Sequence, residues 1–83
     1  MKYLIFPTMQ LALNRSQEIC VSQGCTGDTT TYWFGCTEHP TTEEGAMHVP
    51  ENQEHLITEE EISQLKDYQY MYDNGWFPDN PFI

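Results

Sequence analysis

Four side chains in the first half of the chain are of types that hold zinc: Cys20-x4-Cys25-x10-Cys36-x2-His39, with His48 and His55 further on. A structural zinc takes four thiolate or imidazole ligands in a tetrahedron, and these usually arrive in tight knuckles such as Cys-x2-Cys. Here the first pair is spaced x4, and helical periodicity places Cys20 on a buried face. Cys36 shares a strand face with Phe34. Cys20, Cys25, Cys36 and His39 are therefore the metal candidates, but their placement reads better as small buried hydrophobes. No cofactor is expected.

Catalysis has one candidate pair, Cys36 with His39. Residues at i and i+3 on a strand leaving into a loop point in different directions, and no third group stands ready to orient the histidine. The chain has no Gly-rich phosphate loop, no nucleophile elbow and no His-Glu-x-x-His. Its acidic pairs fit a helix cap and a solvated face better than acid–base work, which needs buried and unequal carboxylates. The expectation is a protein that is not an enzyme.

What remains is recognition. Trp33, Tyr70, Trp76, Phe77 and Phe82 exceed what so small a core readily absorbs, and aromatic anchors dominate interface energetics. The acids Glu51, Glu54, Glu59, Glu60, Glu61, Asp67 and Asp73 offer a second means of contact, spaced carboxylates that imitate a phosphate backbone before a basic protein. The partner-binding candidates are thus Trp33, Tyr70, Trp76, Phe77, Phe82, Glu51, Glu54, Glu59, Glu60 and Asp67.

Charge and size limit the partners further. The 83 residues carry 13 acidic and 3 basic side chains, a formal charge of −10. Residues 1–42 hold Glu18, Asp28 and Glu38 against Lys2 and Arg15, a net of −1. Residues 43–83 hold the other ten acids against Lys66 alone, a net of −9. A grip on nucleic acid needs clustered Lys and Arg, so direct nucleic-acid binding is not expected. No apolar run reaches the roughly 20 residues of a membrane span. Tyr3-Leu4-Ile5-Phe6 before Pro7 is too short for the apolar stretch of a secretory signal. With that, an odd count of three cysteines points to a cytoplasm and to free thiols.

The elements that must position these side chains follow from periodicity. Residues 2–6 read as a strand ended by Pro7. Thr8 stands at an N-cap, and Met9, Ala12, Leu13, Ile19 and Cys20 trace the apolar face of a helix over 9–23, with Gly24 as its C′ residue. Thr26-Gly27-Asp28 reads as a turn. Residues 29–37 read as the strongest strand, with Thr31, Trp33 and Gly35 on one face and Thr30, Tyr32, Phe34 and Cys36 on the other. A polar loop of about 7–8 residues, longer than the usual 2–5, leads to a strand over 46–49 closed by Pro50. Thr58-Glu59-Glu60-Glu61 is a capping box. It opens one helix whose stripe is Ile62, Leu65, Tyr68, Gln69 and Tyr72, ended by Asn74-Gly75. The order is β-α-β-β-α, an α+β domain with a three-stranded sheet and both helices on one face. If the first two strands are parallel neighbours, their crossover is right-handed. Residues 1–83 form a single domain, with a core of 1–75 and an apolar tail of 76–83 that packs internally or on a partner.

The opening Lys2-Tyr3-Leu4-Ile5-Phe6, the helix around Arg15, Thr30-Thr31-Tyr32-Trp33, His48-Val49-Pro50 and Ile57-Thr58-Glu59-Glu60-Glu61 resemble small uncharacterised proteins encoded by tailed bacteriophages. The resemblance runs to about Leu65 and brings no catalytic residues with it. It implies a phage protein made in a host bacterial cytoplasm; with the aromatic excess and the apolar tail, the expectation is action by protein contact, most simply as a minor virion or tail-associated component. An acidic anti-defence inhibitor or DNA mimic against a basic host enzyme is the alternative, and a small zinc module the second. A homo-oligomer is a further outlet for the aromatic surface.

Overall fold

The computed structural model describes residues 1–25 and 32–77. The turn expected at 26–28, the start of the strand expected at 29–37, and Phe82 lie outside the described residues. Strand β1 spans Lys2–Phe6, helix α1 Met9–Ser22, strand β2 Cys36–Glu38 and strand β3 Gly45–Val49. A 3-10 helix over Glu51–Leu56 follows, then α2 over Glu59–Ser63 and α3 over Tyr68–Asp73. The α+β class and the small three-stranded sheet stand as expected.

The sheet order is β1-β3-β2, and β3 pairs antiparallel with both neighbours. β1 and β2 therefore run in the same direction but are separated by β3, so they are not the parallel neighbours a right-handed crossover rule would govern. The β2–β3 hairpin forms as expected. Its loop is shorter, residues 39–44, because the ladder extends to Glu38 opposite Gly45 and the His39 amide donates to the Glu44 carbonyl at 2.9 Å. Gly45 is required where β3 starts: a Cβ there would lie 2.5 Å from the Met9 Cα.

Side chains alternate across the strands and build a core on each face. Leu4, Met47 and Val49 join Ile19 of α1, Phe34 and Ile57 on one side. Tyr3 and Ala46 join Met71 of α3 and Trp76 on the other. The expectation of both helices on one face is thus corrected. α1 shares its face with the segment around Ile57 and α2, where Arg15 clasps Glu61, while α3 covers the opposite face.

The single helix expected after Thr58 is corrected for the same reason. The capping box is present, with Thr58 Oγ1 accepting from the Glu61 amide at 3.1 Å and Glu61 Oε1 from the Thr58 amide at 3.0 Å. The chain then leaves helical conformation to pass around the edge of the sheet. There Lys66 exchanges two 2.8 Å backbone hydrogen bonds with Tyr3, an isolated antiparallel bridge that covers part of the β1 edge. Edge pairing needs extended backbone, so one helix becomes two. Asp67 restarts it, its carboxylate accepting from the Tyr70 amide at 2.8 Å.

The long strand expected at 29–37 is also corrected. Among the described residues of that segment the strand begins only at Cys36, as β2 over Cys36–Glu38. Just before it, Ser16 of α1 takes the place of a neighbouring strand. Its hydroxyl donates to the Phe34 carbonyl at 2.6 Å and accepts from the Phe34 amide at 2.8 Å. Ser16 is fully buried on the stripe that runs Ala12, Ser16, Ile19 and Cys20.

α1 begins as expected, Thr8 Oγ1 accepting from the Leu11 amide at 3.2 Å. It ends in a complete Schellman motif around Gly24 at φ +99. The Gly24 amide donates to the Val21 carbonyl at 3.1 Å and the Cys25 amide to the Cys20 carbonyl at 3.0 Å. In this motif the third residue from the helix end and the third beyond it frequently make a hydrophobic contact. Those residues are Cys20 and Cys25, and they form a disulfide with Cα atoms 5.2 Å apart. The expectation of free thiols is corrected for this pair; Cys36 is free.

Candidate functional site

The partner-binding candidates separate by the elements that hold them. α3 is six residues long and buries Met71 alone. Met71 faces the sheet, so the rest of the short helix turns outward: Tyr68, Tyr70 and Tyr72 are 42%, 39% and 38% exposed. Tyr68, Gln69, Tyr72 and Ile62, expected on a buried stripe, are all exposed. Among the described residues, Tyr68 and Tyr70 have partners for their rings. Phe77 stacks on Tyr68 at 5.3 Å and 15°, and the Lys66 ammonium sits 5.0 Å from the Tyr70 ring centroid. The second contact is a cation–π pair between the bridging Lys66, just before α3, and the helix.

Trp33 belongs to a different place. Its ring is 40% exposed, and its indole N–H donates to Gln53 Oε1 at 2.9 Å. Gln53 lies between Glu51 and Glu54 on the 3-10 helix, so that bond sets the indole beside an acidic turn. Tyr70 and Asp67, as third residue and N-cap, form a separate group on α3. Glu59 and Glu60 occupy the exposed first turn of α2. The candidates are therefore several small patches rather than one.

Trp76 leaves the set. It is 4% exposed, packed with Tyr3, Ala46 and Met71, and its ring meets the His39 imidazole edge-on at 4.7 Å and 74°. Phe77 is half-buried against the same core. Part of the aromatic excess in the sequence is thus taken up by a second core on the far face of the sheet.

The acids are also unequal. Arg15 clasps both oxygens of Glu61 at 2.8 and 2.9 Å. That hydrogen-bonded pairing, more than any other cause, holds the Glu61 carboxyl below its ordinary range and the Arg15 guanidinium above its own. Glu61 is therefore internal to the fold. Glu51 stands 4.0 Å from the N-terminal amine, with both groups well exposed. Glu59 and Glu60 form no ion pair among the described residues.

The zinc and nucleophile candidates are drawn apart. Cys20 and Cys25 bond each other, and Cys36 packs with the core beneath α1. His39 is on the other side, buried against Trp76. Its Nδ1 accepts from the Thr41 amide at 3.1 Å, which leaves Nε2 to donate to the Asn74 carbonyl at 3.0 Å. Among the described residues no three His, Cys, Asp or Glu side chains converge as a metal site would require.

A histidine pair that sequence spacing did not single out lies on the α3 face. Thr37 and His48 sit diagonally on β2 and β3, and Thr37 Oγ1 hydrogen-bonds His48 Nε2. Tyr3 meets the imidazole edge-on at 5.1 Å. Burial pushes the His48 pKa below its ordinary value. The signal for this pair was register, since Thr37 opposite Ala46 places it one diagonal from His48.

No helix among the described residues is long and apolar enough to cross a membrane. No protein-family model, curated protein or solved structure matches the chain.

Proposed function

We propose that this chain is a non-catalytic protein-contact module, a small phage-encoded accessory protein that serves as a minor virion or tail-associated component. The single observation carrying the contact reading is α3, which buries Met71 and turns three tyrosines outward. Tyrosines present large amphipathic contact area at low conformational cost, which suits an interface better than a solvated face. Tyr70 with Asp67, and Trp33 with Glu51 and Glu54, are the contacts assigned to the partner. The phage context rests on the resemblance of the segments up to Leu65. The test is mass spectrometry of gradient-purified virions from a phage encoding this chain. Stoichiometric chain in the particle supports the assignment, and its absence from particles removes it.

A second reading has its own support. Arg15 neutralises Glu61, whereas Glu59 and Glu60 stay exposed without an ion pair among the described residues. Such a surface favours a basic partner and suits an acidic inhibitor of a host nucleic-acid enzyme in the bacterial cytoplasm. Binding of that kind weakens steeply with salt. Capture of a basic host protein at low salt but not at high salt supports it. Binding that survives molar salt removes it.

A further inference from the structure

We infer that Cys25 is a thiol-exchange site, at which a low-molecular-weight thiol such as glutathione opens the Cys20–Cys25 disulfide and from which the bond re-forms, with the domain folded throughout. This goes beyond the contact reading and does not depend on it. The helix end is closed independently of the sulfur bond. Gly24 at φ +99 and the amides of Gly24 and Cys25 complete the Schellman motif through backbone hydrogen bonds. When the disulfide opens, those bonds keep the two cysteines adjacent, with Cα atoms near the 5.2 Å of the oxidised form. The reduced pair is thus held ready to close again.

The two cysteines differ in exposure. Cys20 is 2% exposed in the last turn of α1, whereas Cys25, just past the turn, is half-exposed. Exchange runs by thiolate attack on an accessible sulfur, so the incoming thiolate meets Cys25 and Cys20 leaves. In the first step the new sulfur–sulfur bond forms at Cys25, the Cys20–Cys25 bond breaks, and the Cys20 thiolate takes a proton from solvent. A second thiol then attacks the mixed disulfide, releasing Cys25 and a small-molecule disulfide. The protein pair gains two electrons and two small thiols lose them. The reverse sequence, driven by the small-molecule disulfide, restores the closed form.

The bond also spans very little chain. Its sequence separation is 5, so it restrains the unfolded state less than a long-range crosslink does. Cys36 is a poor competitor. It is half-buried like Cys25, but it packs with the core beneath α1, and burial pushes its thiol pKa up, which lowers its thiolate fraction.

The test uses the full chain, with oxidised glutathione as the probe and peptide-level mass spectrometry after acid quenching. Cys20→Ser should acquire one glutathione at Cys25, while Cys25→Ser should modify Cys20 roughly tenfold more slowly or worse. Far-UV circular dichroism of the wild type should superimpose with and without reductant. Equal modification rates at the two positions, faster modification of Cys36 than of Cys25, or loss of helical signal on reduction would each overturn the inference. None of these readouts involves a partner protein, so their outcome is separate from that of the contact proposal.

Discussion

Ser16→Ala removes one oxygen from the interior of α1 and should be among the most damaging small substitutions in the chain. The hydroxyl is fully buried and both donates to and accepts from the backbone of Phe34, at 2.6 and 2.8 Å. Alanine leaves the buried Phe34 amide without that partner and its carbonyl with only the weak 4.0 Å contact of the Cys36 thiol. Each costs about 1–3 kcal/mol, and alanine's better helix propensity offsets about 0.5 kcal/mol of the total. The net loss should be about 2–5 kcal/mol, a large share of the roughly 4–12 kcal/mol available to a domain of this size. Urea unfolding followed by circular dichroism reads the midpoint, and a thermal scan should show a fall of at least about 8 °C. Ser63→Ala is the control, because that exposed hydroxyl donates only to the Glu60 carbonyl. It should stay within about 0.5 kcal/mol of wild type. If Ser16→Ala also stays within that range with an unchanged denaturant slope, the account of how β2 begins is wrong.

Three further outcomes follow from the packing. Trp76→Ala should cost about 3–5 kcal/mol as a core truncation, while Trp33→Ala should cost no more than about 1 kcal/mol; chemical denaturation of both variants checks the division. Gly45→Ala should destabilise by at least about 1–3 kcal/mol, because its Cβ would meet the backbone of Met9 as well as its sulfur; thermal melting reads it. Acid should weaken the fold in two stages. The folded His48 pKa lies below its ordinary 6.5, so the unfolded chain takes the proton first and stability falls as pH drops through 6.5 towards the folded value. The folded Glu61 pKa lies below its ordinary 4.5, so its contribution is present above 4.5 and is lost as pH falls through the folded value. Melting temperature against pH should lose the first stage in His48→Gln and the second in Glu61→Gln.

Much of the fold is legible in local signals. Thr8, Gly24, Thr58, Glu61 and Gly75 mark helix ends by chemistry that acts within a few residues, and each behaves as its type dictates. The misread elements are those decided at long range. Ser16 is polar, so an apolar stripe passes over it, yet its hydroxyl substitutes for a strand. The periodicity of residues 59–73 is helical, but pairing of Lys66 with Tyr3 at the sheet edge breaks it. That break carries α3 to the far face, where Met71 and Trp76 build a second core that no local pattern announces. The disulfide had a readable signal: a C′ glycine brings the residues at 20 and 25 into contact. Among the site candidates, Trp33 and Tyr70 are exposed and Trp76 is buried.

Tyr70 and Trp33 are the contact residues we propose, held on a folded scaffold. The decisive measurement is the amount of a virion or host partner retained on immobilised wild type and on a Trp33→Ala/Tyr70→Ala variant with unchanged circular dichroism. The variant should retain at least roughly tenfold less, because two aromatic anchors are truncated. Equal retention by the two proteins would contradict the proposal.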